Sequence, residues 1–443
     1  MINNSDASGR NDDAVALAPA NRLRGELRLP GDKSISHRAA MLASLARGES
    51  VLENFSSAQD CAATLDCLQA LGVRIVRNES RVAISGAGAS GFEASADILD
   101  ARNSGTTMRL LAGILAGQSF VTTITGDDSL LSRPMLRVAE PLRLMGATVG
   151  LESNGCAPLR ITGRHPLRPI SYRLPIASAQ IKSAVLLAGL FAAGISTVEE
   201  PAETRDHTER LLREFGAPVE RTVNKISVQG GVELHSCELK VPGDFSSAAF
   251  FIAAAVALPG SDIFIRDVGL NPTRIAFLST LKTMGANITV TDERLEGGEP
   301  VGSLRIRAVA LQEPKTLEIS GAAVSNLIDE LPLLGSLAAS LGWEMTLRDA
   351  GELRVKESDR IAATVANLAR MGAPIEECAD GWHLKSASKL CGAQLSAFGD
   401  HRIAMGCAVA ALSATGPSQI GGAQNSVAVS LPEFWSLLAS VAE

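Results

Sequence analysis

Five times along the chain an amphipathic run closes on a glycine and gives way at once to a β-branched or alternating stretch. The runs are CLQALGVRI with Gly72, LRLMGATVG with Gly146, LLREFGAPV with Gly216, LKTMGANITV with Gly285 and LARMGAPIE with Gly372. Each predicts a helix ended by a glycine and followed directly by a strand. The interval, roughly 70 to 90 residues, is too long for a solenoid repeat and suits a compact βαβαββ unit. The closing stretch LPEFWSLLASVAE predicts a sixth helix of this kind. Six units in two sets of three are therefore expected.

Two matching turns interrupt this pattern, LPGDKSISHR from Leu29 and VPGDFSSAAF from Val241, and each opens an apolar helical run. They read as crossings between the sets, at Pro30–Asp32 and Pro242–Asp244. One domain is expected over 32–242, inserted into a second made of 21–31 and 243–443, to which RLRGELRLP contributes a strand. Paired crossings make a hinge, and a cleft between hinged domains is an expected ligand site. Residues 1–20 lack the basic start and apolar core of a signal peptide, Asp6, Asp12 and Asp13 do not suit a transit peptide, and a disordered tail is expected there.

Polar residues gather where the apolar helices start: Lys33 and Ser34, then Asn103, Ser104 and Gly105, then Ser178, and then Arg205 and Asp206. Asp244 and Ser246, Asp329, Ser358 and Asp400 follow in the second half. Capping explains Ser, Asp and Asn at any one of these starts. It does not explain the cations alongside them: Lys33, Arg38, Arg109, Arg133, Lys182, Arg205, Lys356, Arg360 and Arg402. The helix dipole disfavours positive charge at its N-terminus, so an anion is expected between these groups. Backbone N–H groups with arginine hold phosphates and carboxylates, which points to a small molecule with more than one negative group. Two acidic clusters accompany the cations, Asp329–Glu330 and the VKESDR segment with Glu357 and Asp359. If VKESDR opens a helix, Lys356 and Arg360 share a face, and the cluster is either a surface ion-pair lattice or a tuned proton donor or acceptor.

Composition narrows the class. At 443 residues, 46% hydrophobic and 20% charged, the chain is long enough for two or three cored domains. No apolar run is long enough to span a bilayer. A net charge of -7 argues against bulk nucleic-acid binding. Seven cysteines without a C-x-x-C pair fit reduced thiols and give no zinc site. ISGAGASG matches a dinucleotide fingerprint, but no apolar helix follows it.

Read together and in order from Arg24 to Phe434, GDKSISHR, NSGTTMR, LLSRPM, ASAQIKSA, ETRDHTE, NPTR, LRVKESDR and GDHRIAMG resemble the 5-enolpyruvylshikimate-3-phosphate synthase family. The resemblance implies an α/β enolpyruvyl transferase fold, an inside-out α/β barrel of two hinged domains with three βαβαββ repeats each. It implies transfer of the enolpyruvyl group of phosphoenolpyruvate to the 5-hydroxyl of shikimate 3-phosphate, with release of phosphate. The route is addition and elimination through a tetrahedral intermediate, in the shikimate pathway to chorismate and the aromatic amino acids. Neither cofactor nor metal is implied. Carried onto this sequence, shikimate 3-phosphate is expected on Lys33, Ser34, Arg38, Ser178, Ala179, Gln180, Arg205, Asp329 and Lys356. Phosphoenolpyruvate is expected on Lys33, Gly105, Thr106, Arg133, Gln180, Glu357, Arg360 and Arg402. Asp329, Glu357 and Lys33 are the expected proton-transfer residues. A cytoplasmic monomer acting on these two small molecules, with no nucleic-acid or membrane partner, completes the expectation.

Some positions depart from the best-known members. Ala179 replaces a second serine, Ala428 and Val429 stand where many members place a lysine, and Leu431 replaces a phenylalanine. These changes resemble the class II branch, whose glyphosate-tolerant members carry alanine where this chain has Gly105. Glycine leaves room for that inhibitor, while Leu110 replaces a proline common in sensitive enzymes, and sensitivity is the reading preferred. The rival within the fold is UDP-N-acetylglucosamine enolpyruvyl transferase, which carries Lys-Asn where this chain has Lys33-Ser34 and a reactive loop cysteine; Cys156 lacks those surroundings. An RNA 3′-phosphate cyclase-like enzyme and a non-catalytic binder of phosphorylated metabolites are the alternatives from other classes.

Overall fold

The computed structural model describes residues 13–309, 316–386 and 389–443. The chain forms two compact units. An inserted unit holds Pro30–Pro242 and Leu295–Glu299; a terminal unit holds the chain up to Leu29, Gly243–Arg294 and Pro300–Glu443. Each has its own hydrophobic core.

Each unit carries three sheets that share one pairing plan. In the inserted unit, Leu99–Asp100 runs parallel to Val121–Thr125, which pairs antiparallel with Leu159–Thr162, and that strand with Thr148–Gly150. Ser171–Arg173, Ile195–Glu199, Lys225–Gln229 and Val219–Arg221 repeat it. In the remaining sheet of this unit the parallel edge strand comes from far along the chain: Leu234–His235 and Glu238–Lys240 pair with Ala46–Glu53. The terminal unit uses the same device, since Arg24–Arg28 lies parallel to Asp262–Gly269. Each unit's first repeat thus borrows a strand from the far side of a Pro-Gly-Asp turn.

The helices after the first strand of each repeat are the core. They span Lys33–Leu45, Gly105–Ala116 and Ala179–Gly189 in the inserted unit, and Phe245–Ala257, Leu331–Ser340 and His401–Leu412 in the terminal one. Every residue of the Phe245 and His401 helices is buried, as expected of helices that are apolar on all sides. Each fully buried Phe or Leu contributes about 1.5–3 kcal/mol. Outer helices such as Gln59–Ala70 and Arg360–Arg370 are amphipathic and end at the glycines noted above, whose φ lies between 86° and 103° at Gly72, Gly146, Gly216, Gly285 and Gly372.

The expected tail over 1–20 needs correction. Val15–Leu17 is a strand, antiparallel to Ser418–Gly421, and Asp13 accepts a hydrogen bond from the Asn425 backbone at 2.6 Å. The reason is the repeat itself. In the sixth unit's sheet the N-terminal segment supplies the antiparallel strand beside Ser418–Gly421. Residues 1–12 lie outside those described. Among the described residues no helix is long and apolar enough to cross a membrane.

Candidate active site

In the inserted unit three core helices bring their first turns together. Gly113 makes this possible, because a Cβ there would lie 2.2 Å from the Ala184 carbonyl oxygen, so the Gly105 and Ala179 helices cross in close contact. Their starts then touch: Gln180 donates from Nε2 to Thr106 Oγ1 at 3.0 Å and accepts at Oε1 from Arg109 at 2.6 Å. Ser104 caps the first helix through the Thr107 N–H (3.1 Å) and Ser178 the second through the Ile181 N–H (3.4 Å). A Cβ on Gly105 would stand 2.9 Å from Arg109 Nη1 and 3.3 Å from Arg133 Nη1, so the site's guanidiniums press against a bare backbone. Arg133 is held by Asn103 Oδ1 (2.9 Å) and Ser129 Oγ (3.2 Å).

The Lys33 helix is capped by Asp32, which accepts from the Ile35 N–H at 2.9 Å. Lys33 Nζ reaches Asp60 at 3.0 Å, and Ser34, Thr106, Ser178, Ala179 and Gln180 are all partly open to solvent. Arg38 lies deeper. It donates to Thr208 Oγ1 (2.7 Å), Ser183 Oγ (2.9 Å) and the Ser34 carbonyl (3.0 Å). Burial pushes its guanidinium down to about 10, partly offset by Glu209, and the Arg205 charge lowers it further. Beneath it His37 is fully buried, with Nδ1 2.6 Å from Thr64 Oγ1 and the chain of hydroxyls continuing to Thr107 and Ser104. Burial, then Lys33 and Arg38, hold His37 well below its usual range, so the ring is neutral. Arg205 is half-buried in the segment before the His207–Glu214 helix.

Lys182 is a correction. Its position near a helix start suggested an ionic ligand, but its side chain is fully buried and its Nζ meets Glu209 at 2.8 Å and Glu200 at 3.2 Å. Its counter-charges come from the chain, from residues with no local signal in sequence.

The terminal unit gathers Asp329, Glu330, Lys356, Glu357, Arg360, Asp400 and Arg402. Arg360, 1% exposed, donates to Asp400 Oδ2 at 2.7 Å, Glu357 Oε2 at 2.5 Å and Asp329 Oδ1 at 3.3 Å. Burial alone would lower its pKa, but Asp400, Glu357 and Asp329 together hold it well above its usual value. Burial likewise works to raise Asp400, and Arg360 overrides it and keeps the carboxyl below the usual range. Asp329 also has Lys356 Nζ at 3.8 Å and Arg402 Nη2 at 3.9 Å. Arg402 donates to the Asp329 carbonyl (2.7 Å), Ser246 Oγ (2.8 Å) and Glu330 Oε1 (3.1 Å).

Two helix starts differ from expectation. Gly351–Val355 is a 3-10 turn, and the helix proper begins at Arg360 with Asp359, not Ser358, as its cap through the Ala362 N–H. Lys356 and Glu357 therefore precede the helix instead of lining one face of it, and Ser358 donates to Asp400 at 3.1 Å. Glu330 occupies the cap position of the Leu331 helix without capping it; its carboxylate goes to Arg274 and Arg402. Arg274, from NPTR, and the role of Ser246 were not assigned from sequence. A buried Glu beside two arginines leaves no local pattern, although the arginine after Asn-Pro-Thr was the available hint.

Comparison with known proteins gives a consistent picture. The family model described as EPSP synthase (3-phosphoshikimate 1-carboxyvinyltransferase) matches residues 17–438. The chain is 50% identical over 429 residues to the 3-phosphoshikimate 1-carboxyvinyltransferase of Desulforudis audaxviator, covering 96% of this chain and 99% of that one. It is 48% identical over 429 residues to the protein of that name from Desulforamulus reducens, with the same coverage. A solved EPSP synthase from Acinetobacter baumannii superimposes with a TM-score of 0.86 at 42% identity, covering 97% of this chain and 98% of that one.

Proposed function

On the premise that the chain belongs to the EPSP synthase family, and so transfers the enolpyruvyl group of phosphoenolpyruvate to the 5-hydroxyl of shikimate 3-phosphate, we propose that the two groups of residues divide the work as follows. Lys33, Ser34, Arg38, Ser178, Ala179, Gln180 and Arg205 bind shikimate 3-phosphate, with Asp329 and Lys356 at the reacting hydroxyl. Arg133, Arg360 and Arg402 bind phosphoenolpyruvate, with Lys33, Gly105, Thr106, Gln180 and Glu357 completing its pocket.

The chemistry needs a proton delivered to C3 of phosphoenolpyruvate, which makes C2 cationic and open to attack by the 5-hydroxyl oxygen. Asp329 takes the hydroxyl proton as the C–O bond forms. Glu357 and Lys33 move protons at C3 and at the departing phosphate, which leaves C2 as the C3 proton is lost. Arginines balance the charge of the intermediate throughout. The observation that carries this reading is the cluster of Asp329 and Glu357 on one buried guanidinium, Arg360, beside Lys356 and Arg402. It places two carboxylates among cations suited to phosphate and carboxylate groups.

The test is phosphate release by the purified protein given both substrates, or each alone, with no metal added. Release that requires both supports the assignment; release from phosphoenolpyruvate alone would overturn it. The reading extends to a cytoplasmic monomer that glyphosate inhibits, since Gly105 brings no methyl to crowd the guanidiniums of Arg109 and Arg133. An inhibition constant in the millimolar range or weaker would sink the last point.

A further inference from the structure

The NPTR segment carries Arg274 into the same buried cluster as Arg402, and neither capping nor packing accounts for it. Arg274 and Glu330 are 4% and 1% exposed. Arg274 grips both carboxylate oxygens of Glu330, Nη1 to Oε2 at 3.0 Å and Nη2 to Oε1 at 3.1 Å. Arg402 reaches Oε1 at 3.1 Å and donates to two uncharged acceptors, the Asp329 carbonyl and Ser246 Oγ, while the Asp329 carboxylate stands farther off, 3.9 Å from Nη2. The Ser246 hydroxyl donates to Glu330 at 2.8 Å and accepts from both guanidiniums. Two guanidiniums therefore share one carboxylate, and the bidentate bond goes to Arg274.

We propose that Arg274 and Glu330 are positioning residues for Arg402: Glu330 fixes the plane of the Arg402 guanidinium, and Arg274 balances Glu330 so that the Arg402 charge remains for the anionic substrate. Buried charge is the physical reason. A carboxylate out of water takes whatever cation is within reach, because leaving it uncompensated costs several kcal/mol. With Arg274 present that demand is met by a fork-to-fork pair. With Arg274 removed, Arg402 is the adjacent cation to meet it, and its charge is then spent on the protein. This inference rests on the reading that Arg402 holds phosphoenolpyruvate.

The experiment is steady-state kinetics on the full chain for Arg274→Met, Arg274→Lys, the double variant Arg274→Met/Glu330→Gln and, as a reference, Arg402→Gln. Arg274→Met is expected to raise KM for phosphoenolpyruvate about tenfold or more while KM for shikimate 3-phosphate stays within about threefold. Arg274→Lys and the double variant are expected to return the phosphoenolpyruvate KM to within about threefold of the parent, because in both Arg402 keeps its charge and an accepting side-chain oxygen at position 330. A merely structural role predicts the reverse for the double variant, a loss at least as large as that of the single change. If Arg274→Met does not fold, the other two variants still decide, and a tenfold rise in phosphoenolpyruvate KM in either overturns the proposal. If Arg402→Gln leaves that KM unchanged, it is the assignment of Arg402 that fails; if Arg402→Gln raises it and Arg274→Met does not, only this inference falls.

Discussion

Gly105 shows how a single missing atom shapes this site. A methyl at that position would lie 2.9 Å from Arg109 Nη1 and 3.3 Å from Arg133 Nη1, so the guanidiniums would have to retreat. Gly105→Ala is expected to raise the glyphosate inhibition constant by about tenfold or more and KM for phosphoenolpyruvate by less, since one added methyl penalises the longer ligand more. Parallel inhibition and saturation curves check this. At Asp329, replacement by Asn keeps the shape and removes the base, and kcat should fall about 10²- to 10⁴-fold with shikimate 3-phosphate binding intact by calorimetry. Near-normal turnover would remove Asp329 from that role. His37 gives a pH prediction. Its folded-state pKa lies well below the ordinary 6.5, first because of burial and then because of Lys33 and Arg38. Below that ordinary value the unfolded chain binds a proton that the folded chain refuses. Stability is therefore complete above about pH 6.5 and falls with pH by up to about 1.4 kcal/mol per unit until the folded pKa is reached. Urea unfolding at pH 7.5, 6.5 and 5.5 should show a shallower acid slope for His37→Gln than for the parent. Equal slopes would mean that His37 takes its proton in the fold.

At the scale of elements, local rules carried much of the architecture. Each glycine that ends an amphipathic run has the positive φ that lets a helix stop and a strand begin, a property written in the residue itself. The α/β class and the starts of the core helices were legible for the same reason. What escaped was non-local. Nothing near Val15–Leu17 announces a strand whose partner lies some four hundred residues later. Lys182 looked available because Glu200 and Glu209 are brought to it only by folding, and Lys356 and Glu357 left their expected helix face because a 3-10 turn precedes Arg360. The short N-terminal strand has consequences of its own. It pairs with Ser418–Gly421, whose Gly421 carbonyl accepts from the Ala397 N–H, and Ala397 in turn accepts from Asp400, the partner of Arg360. Leu17 is 2% exposed, and Leu17→Ala is expected to cost about 2–5 kcal/mol, read as a lower urea midpoint. An unchanged midpoint would show that the strand contributes little to the terminal unit.

For the molecule as a whole, two separate cores mean two places to unfold. Trp343, Trp382 and Trp435 all belong to the terminal unit and are 2%, 0% and 7% exposed, so tryptophan emission reports on that unit. Leu186, fully buried in the inserted unit, offers the complementary probe. Leu186→Ala is expected to shift part of the far-UV circular dichroism transition to lower denaturant while the emission midpoint stays put. Coincident shifts would mean that the whole chain melts as one. The borrowed strands also set an order of events on the ribosome. The inserted unit's helices and sheets are complete once Lys240 has emerged, apart from the small Leu295–Glu299 contribution. The strands Val15–Leu17 and Arg24–Arg28, synthesised first, wait for partners at Asp262–Gly269 and Ser418–Gly421. At about 5–20 residues per second, Arg24–Arg28 waits about 1–5 s after Pro242 for its partner, while Val15–Leu17 waits about 9–36 s as an unpaired strand edge. Those early edges are where a chaperone would find this protein during translation.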